Sequence, residues 1–269
     1  MLDFEEHILE KGQSLAPVFT TYHLQGLLIG ITEYPNWVET GQWHAHKNPM
    51  ISFVLEGGNI ENRKNKQLQR NCGSIDFYHA FEPHQNIYQV FPSKHFGIEI
   101  DEDFLEKYEL PENKIEVAIE ENPFSKFIFL KILKEALLND SFTPESVEML
   151  FLDLVNDTPS TNRRACPNWV PVLRKFLNEN WNRKLTLQEL SDKVGIHPVT
   201  ISSNFRKYFS STFGEYMRRI KIDRSLTMIR ESNQSLTQIA YACGFADQSH
   251  FTRTFKSQIG FLPKQFQNL

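Results

Sequence analysis

Two sets of side chains have the types and spacing to do chemistry. The first lies near the C-terminus. If Phe251 and Phe255 face a core, a step of 100° per residue exposes Ser249, Arg253 and Lys256, with Gln248, His250 and Thr252 beside them. A guanidinium can bond both acceptors on a guanine edge, so Arg253 is the best candidate for a base contact. The same construction on Ile201 and Phe205 exposes Val199, Ser203 and Arg206, flanked by Thr200 and Ser202. Arg206, Lys207 and Lys256 suit phosphate, which positions a protein on DNA without reading its sequence. The second set is His44, His46 and His84. Alternate residues on a strand share a face, so His44 and His46 can converge. Three imidazoles could bind a divalent ion with an open position. They could equally hydrogen-bond inside or at the mouth of a ligand pocket.

The elements that must position the first set are written twice. Each copy opens with a capping box, Thr186-x-x-Glu189 and Ser235-x-x-Gln238. Nine residues after each cap stands a glycine, Gly195 and Gly244, suited to a left-handed helix end. Beyond each turn an i, i+4 apolar pair, Ile201/Phe205 and Phe251/Phe255, holds a second helix against the first. These are two helix-turn-helix units, 186–205 and 235–255. One alone could be a plain helical hairpin with a solvated face; two with matching caps and basic outer faces point to sequence-specific DNA binding. Phe213 to Ile229 should be a linking helix on the order of 25 Å long, so its ends could serve successive major grooves roughly 34 Å apart. Its basic residues, Arg218, Arg219, Lys221 and Arg224, read as a solvated face with ion pairs to Asp223 or Glu215.

Charge divides the chain the same way. Residues 1–165 hold 14 Lys+Arg against 26 Asp+Glu, and residues 166–269 hold 15 against 7. A net charge of −4 therefore hides an acidic part joined to a basic part, and only the latter suits phosphate. Cys72, Cys166 and Cys243 are scattered, with no Cys-x-x-Cys pair, so neither a thiolate zinc site nor a disulfide framework is indicated. No signal sequence or membrane span is read, and a cytoplasmic location is expected.

The stretch Ile239-Ala-Tyr-Ala-Cys-Gly-Phe-Ala-Asp-Gln-Ser-His-Phe-Thr-Arg-Thr-Phe-Lys256, followed by Gly260 and Pro263, resembles the signature of the AraC/XylS family of bacterial transcription regulators. The resemblance runs from about Trp169 to Phe266. It implies a seven-helix domain that reads promoter DNA with both motifs. His197, Ser210, Lys221, Leu262 and Gln267 depart from the family's usual residues. The first recognition helix offers small side chains, Val199, Ser202 and Ser203, so its base reading is expected to be weaker than the second's.

Residues 15–100 read as short strands broken by turns, with an apolar run at Ile51–Leu55 and a polar stretch, Asn59–Arg70, expected to be a solvated hairpin or loop. Trp43-His44-Ala-His46, Gly57, Gly73 and Pro83-His84 are similar to the two motifs of a cupin barrel. In metal-binding cupins a Glu joins the histidines; here Met50 holds its place. The expectation is therefore an effector site at Trp43, His44, His46 and His84, with no metal or other cofactor. Trp37, Phe53, Phe77, Tyr78 and Tyr88 could also line a pocket, although core packing explains most of them. Amphipathic helices follow over 123–155, and they either dimerise the chain, as the resemblance implies, or pack on its own barrel.

The expected architecture is α+β and two-domain. A cupin-like β-barrel with helices (1–156) and a linker (157–168) precede an all-α domain with two helix-turn-helix motifs (169–269). The expected function is a transcriptional regulator, not an enzyme. Its implied partners are double-stranded promoter DNA, a small effector such as a sugar or other metabolite, a second copy of the chain, and RNA polymerase if it activates. The competing readings are a constitutive DNA-binding protein whose barrel only dimerises, and a metal-dependent cupin enzyme with a DNA-binding tail.

Overall fold

The computed structural model describes residues 7–37, 41–64, 66–156 and 166–269. The chain divides into two compact units, with the boundary between Asp157 and Thr158. Most of the expected linker, residues 157–165, lies outside the described residues.

The first unit is a curled sheet followed by helices. Its strands are β1 (Ile8–Leu9), β2 (Val18–Leu24), β3 (Leu27–Tyr34), β4 (Trp43–His46), β5 (Met50–Arg63), β6 (Lys66–Asn71), β7 (Ile75–Tyr78) and β8 (His84–Ile100). The helices are α1 (Glu102–Lys107), α2 (Glu112–Glu121), α3 (Ser125–Leu138) and α4 (Thr143–Asn156). Two long strands organise the sheet: β8 pairs with β3, β4 and β5, and β5 pairs with β6, β7 and β8. Register shifts between Val54 and Asn59 break the ladder from β5 to β8, and such bulges bend a strand and curl its sheet. Gly58 permits the bend, because a Cβ there would lie 2.1 Å from the Arg70 carbonyl oxygen.

The polar stretch Asn59–Arg70 is a hairpin, one of the two forms expected, but it is solvated only in part. It completes β5 and forms a hairpin with β6, in which Asn59, Glu61 and Arg70 are buried. Glu61 is 0% exposed, yet it accepts a hydrogen bond from Arg63 Nε (2.6 Å) and lies 3.4 Å from Arg70. Polar residues left the surface here because they satisfy one another. The α3 stripe is buried within its own unit: Phe129 meets Phe96 at 4.6 Å and Phe53 at 6.3 Å between ring centroids. Leu138, Phe142 and Met149 stay exposed on α3, α4 and their connection.

The second unit is helical: α5 (Trp169–Glu179), α6 (Leu187–Val194), α7 (Pro198–Phe209), α8 (Phe213–Glu231), α9 (Leu236–Ala242), α10 (Gln248–Ile259) and α11 (Pro263–Gln267). Its core is aromatic, with Phe205, Phe251, Phe255 and Phe266 buried. No helix among the described residues is long and apolar enough to cross a membrane.

Candidate nucleic-acid interface and effector cavity

Each helix-turn-helix is built from its caps inward. The capping boxes at Thr186/Glu189 and Ser235/Gln238 are both formed. Gly195 and Gly244 both take φ of +68° after the first helices. The second helices start on different caps. His197 Nδ1 accepts the Val199 amide at 3.3 Å, and Asp247 accepts the His250 amide at 2.7 Å. Asp247 was not singled out from the sequence, although an aspartate just before a helical run is a cap signal.

Ile201 and Phe205 on α7, and Phe251 and Phe255 on α10, are buried as the periodicity requires. The opposite faces are open. Val199, Ser202, Ser203 and Arg206 are exposed on α7; Gln248, Ser249, Arg253 and Lys256 are exposed on α10, with Thr252 half-buried. Arg253 and Lys256 have no ion-pair partner among the described residues. Two of the smaller groups are already engaged. Ser203 Oγ donates to the Thr200 carbonyl at 3.3 Å, and Gln248 Oε1 accepts from Thr237 Oγ1 at 2.6 Å.

Lys221 departs from the expected solvated face. It donates to the Gly244 carbonyl at 2.8 Å and lies over the Phe245 ring, so it ties α8 to the second turn. Burial lowers its pKa. Glu215 is held by Thr212 in the capping box of α8, a role its place at the helix start explains.

The helix-turn-helix domain family matches residues 190–268. The melibiose operon regulatory protein of Escherichia coli (strain K12) is 24% identical over 120 residues, 43% of this chain and 40% of that protein. The HTH-type transcriptional activator RhaS of Escherichia fergusonii is 24% identical over 92 residues, 34% of this chain and 33% of that protein. The C-terminal unit is an AraC/XylS-type helix-turn-helix domain. Another relative of the chain, the bifunctional transcriptional activator/DNA repair enzyme AdaA of Bacillus subtilis (strain 168), is 24% identical over 111 residues, 41% of this chain and 53% of that protein. The chain thus spans about a third to a half of the length of these relatives. Among solved structures, the DNA-binding domain of AdpA in complex with a target DNA aligns with 37% of this chain and 89% of that chain (TM-score 0.34, 16% identity). ToxT from Vibrio cholerae aligns with 91% of this chain and 98% of that chain (TM-score 0.38, 11% identity).

Outside the AraC/XylS-type domain, the curled sheet encloses a cavity of about 240 Å³. His44, His46 and His84 line it together, as their spacing predicts, because β4 pairs His44 directly with His84 on β8. Trp43 does not line it; strand alternation puts its side chain on the other face of β4. Tyr78 and Tyr88 do line it, whereas Phe53 and Phe77 are core and Trp37 is exposed. Tyr34, Met50, Arg70 and His95 also reach the cavity, and of these only Met50 carried a sequence signal.

One potential ligand nitrogen from each of the three histidines lies within 4.8 Å of the other two. His44 Nδ1 faces the Gln42 carbonyl at 3.1 Å and His84 Nδ1 the Glu82 carbonyl at 3.0 Å. A carbonyl only accepts, so Nδ1 carries the proton and each Nε2 is left as an acceptor. Burial first, and neighbouring histidines next, lower the pKa of His46 to about 3 and hold His84 well below its usual value. Burial also lowers His44. Neutral imidazoles with Nδ1 anchored in this way fit a divalent ion as ligands; Met50 brings no carboxylate to it.

Proposed function

We propose that the protein is a sequence-specific, DNA-binding transcriptional regulator whose N-terminal unit binds a small-molecule effector. The observation that carries this reading is the pair of capped helix-turn-helix units, each presenting an exposed polar or basic face on its second helix. The family match and the transcriptional regulators among the relatives support it. Arg253 reads a base edge, Lys256 and Arg206 hold phosphate, and Val199, Ser202, Ser203, Gln248, Ser249 and Thr252 complete the contact faces. The chain is not an enzyme in this reading, works in the cytoplasm on double-stranded promoter DNA, and meets RNA polymerase where it activates. Residues 1–156 form the effector unit, 157–168 the linker and 169–269 the DNA-binding domain.

His44, His46 and His84 form the polar floor of the effector site. An effector changes transcription by binding DNA-competent and DNA-incompetent states with unequal affinity. Self-association uses Leu138, Phe142 and Met149, which the unit leaves exposed. Gel-shift titrations of the full chain against promoter fragments, with and without metabolite extract, test the proposal. Specific retention of a fragment from near its own gene is expected. Equal, salt-sensitive retention of every fragment would overturn sequence specificity. Specific binding indifferent to every extract, alongside a ligand-free dimer, would favour a constitutive regulator instead.

A further inference from the structure

We infer that the cavity of the N-terminal unit takes a small organic cation, a protonated amine or a quaternary ammonium. The inference rests on reading that unit as the effector site, and it names the ligand's chemical class.

Charge is the first argument. Among the described residues Arg70 is the one guanidinium or ammonium in the cavity wall, and it is already occupied. Its Nε donates to Asp76 at 2.7 Å, its second amino group bonds Ser52 at 3.2 Å, and Glu61 lies 3.4 Å away. Arg63 behind it serves Glu61 and Glu82. Two guanidiniums thus face three carboxylates. A smaller lobe of about 70 Å³ adjoins the main cavity, sharing His46, Met50, Ser52 and His95 with it, and this lobe reaches Glu99. Glu99 is 6% exposed and has no ion pair among the described residues. Its Oε2 accepts from the Gly12 amide at 2.9 Å, while Oε1 has no hydrogen-bond partner. The neighbouring Lys11 is committed to Asp101. Among the described residues Glu99 is the one carboxylate that reaches this space, at the smaller lobe, and Arg70, the one cation there, is held by Asp76 and Glu61. An anionic ligand near the lobe would face the Glu99 carboxylate, which costs Coulomb energy in a low dielectric.

The lone pairs and rings point the same way. With Nδ1 of His44 and His84 turned to backbone carbonyls, their Nε2 atoms offer acceptors to a ligand. The tyrosine hydroxyls are partly engaged inside the wall: Tyr78 donates to Glu61, and Tyr34 and Tyr88 share one hydrogen bond, which leaves one of that pair a proton to donate. Their rings line the cavity as well, and the Tyr78 ring already carries the Arg63 guanidinium at 4.4 Å. Tyr34 and Tyr88 stack at 3.9 Å in one cluster with His95, and Tyr78 lies 4.6 Å from His84 in another with His44 and His46. Aromatic faces attract ammonium groups through their quadrupoles, and the Glu99 carboxylate at the adjoining lobe favours a cation. The volume suits an organic body and far exceeds that of a bare ion.

Calorimetric titration of the full chain tests this with five probes: choline, 1,4-diaminobutane, arabinose, succinate and zinc chloride. The two amines should bind, and the diamine should lose about tenfold or more in affinity on Glu99→Gln, the loss of one charge-assisted bond. Tyr88→Leu should weaken both amines, which keeps the test decisive if Glu99→Gln fails to fold. Binding of arabinose, succinate or zinc without the amines would overturn the inference. So would amine affinity that neither substitution changes, or no amine binding at millimolar concentration. Promoter binding without amine binding overturns this inference alone; amine binding without promoter binding overturns the regulator reading alone.

Discussion

Arg253 and Ser203 occupy comparable faces of two similar helices, yet their side chains are in different states. Arg253 is exposed without an ion-pair partner among the described residues, whereas the Ser203 hydroxyl already bonds the backbone of its own helix. Arg253→Ala should therefore relax base preference by about 1–3 kcal/mol at one position. Ser203→Ala should change binding little. Gel shifts against an operator mutated base by base measure both, and equal losses would refute unequal roles for the two motifs. The two turn glycines differ as well. Both sit at φ of +68°, where an L side chain costs about 1–2 kcal/mol. A Cβ on Gly195 meets nothing within 4 Å, but one on Gly244 would lie 2.7 Å from the Asn182 carbonyl oxygen. Gly244→Ala should cost more than Gly195→Ala by at least about 1 kcal/mol, as read from denaturation midpoints.

At the scale of elements, the β5–β6 hairpin shows why a polar segment can be core. Arg70 is 3% exposed, and it connects Glu61 on β5 with Asp76 on β7 and the Ser52 backbone. Replacing both charges with packed apolar groups could be neutral, but removing one strands the others. Arg70→Met should thus destabilise the N-terminal unit by about 3–5 kcal/mol. The C-terminal unit should keep its own unfolding transition in the same denaturation experiment. On the second unit, Lys221 joins α8 to the turn between α9 and α10. It therefore bears on the placement of α10 relative to α8.

For the whole molecule, the cavity histidines set a pH dependence. His44, His46 and His84 have folded pKa values below those of the unfolded chain, with burial as the leading cause. The unfolded state takes up protons near pH 6.5 while the folded state resists them, for His46 down to about 3. Their contribution to stability is thus present above about pH 6.5 and lost as pH falls below it. Urea midpoints of the N-terminal transition should fall between pH 7.5 and 5.5. His84→Gln should flatten that slope, and an unchanged slope would show that the triad is not its source.

Local and periodic features were legible from residue order alone. Caps, turn glycines and apolar spacing fix the two helix-turn-helix units because a helix reads its neighbours three and four positions away. The pairing of His44 and His46 was legible for the same reason, since strand alternation is local. Tertiary structure decided the rest. It buried Glu61 and Arg70, brought Tyr34 and His95 to the cavity wall, and turned Lys221 from solvent to a carbonyl on another element. Each of these depends on a partner brought close by the fold rather than by local spacing. A charge reads as surface in sequence until its partner is known, because desolvation is tolerated only where the pairing that offsets it exists.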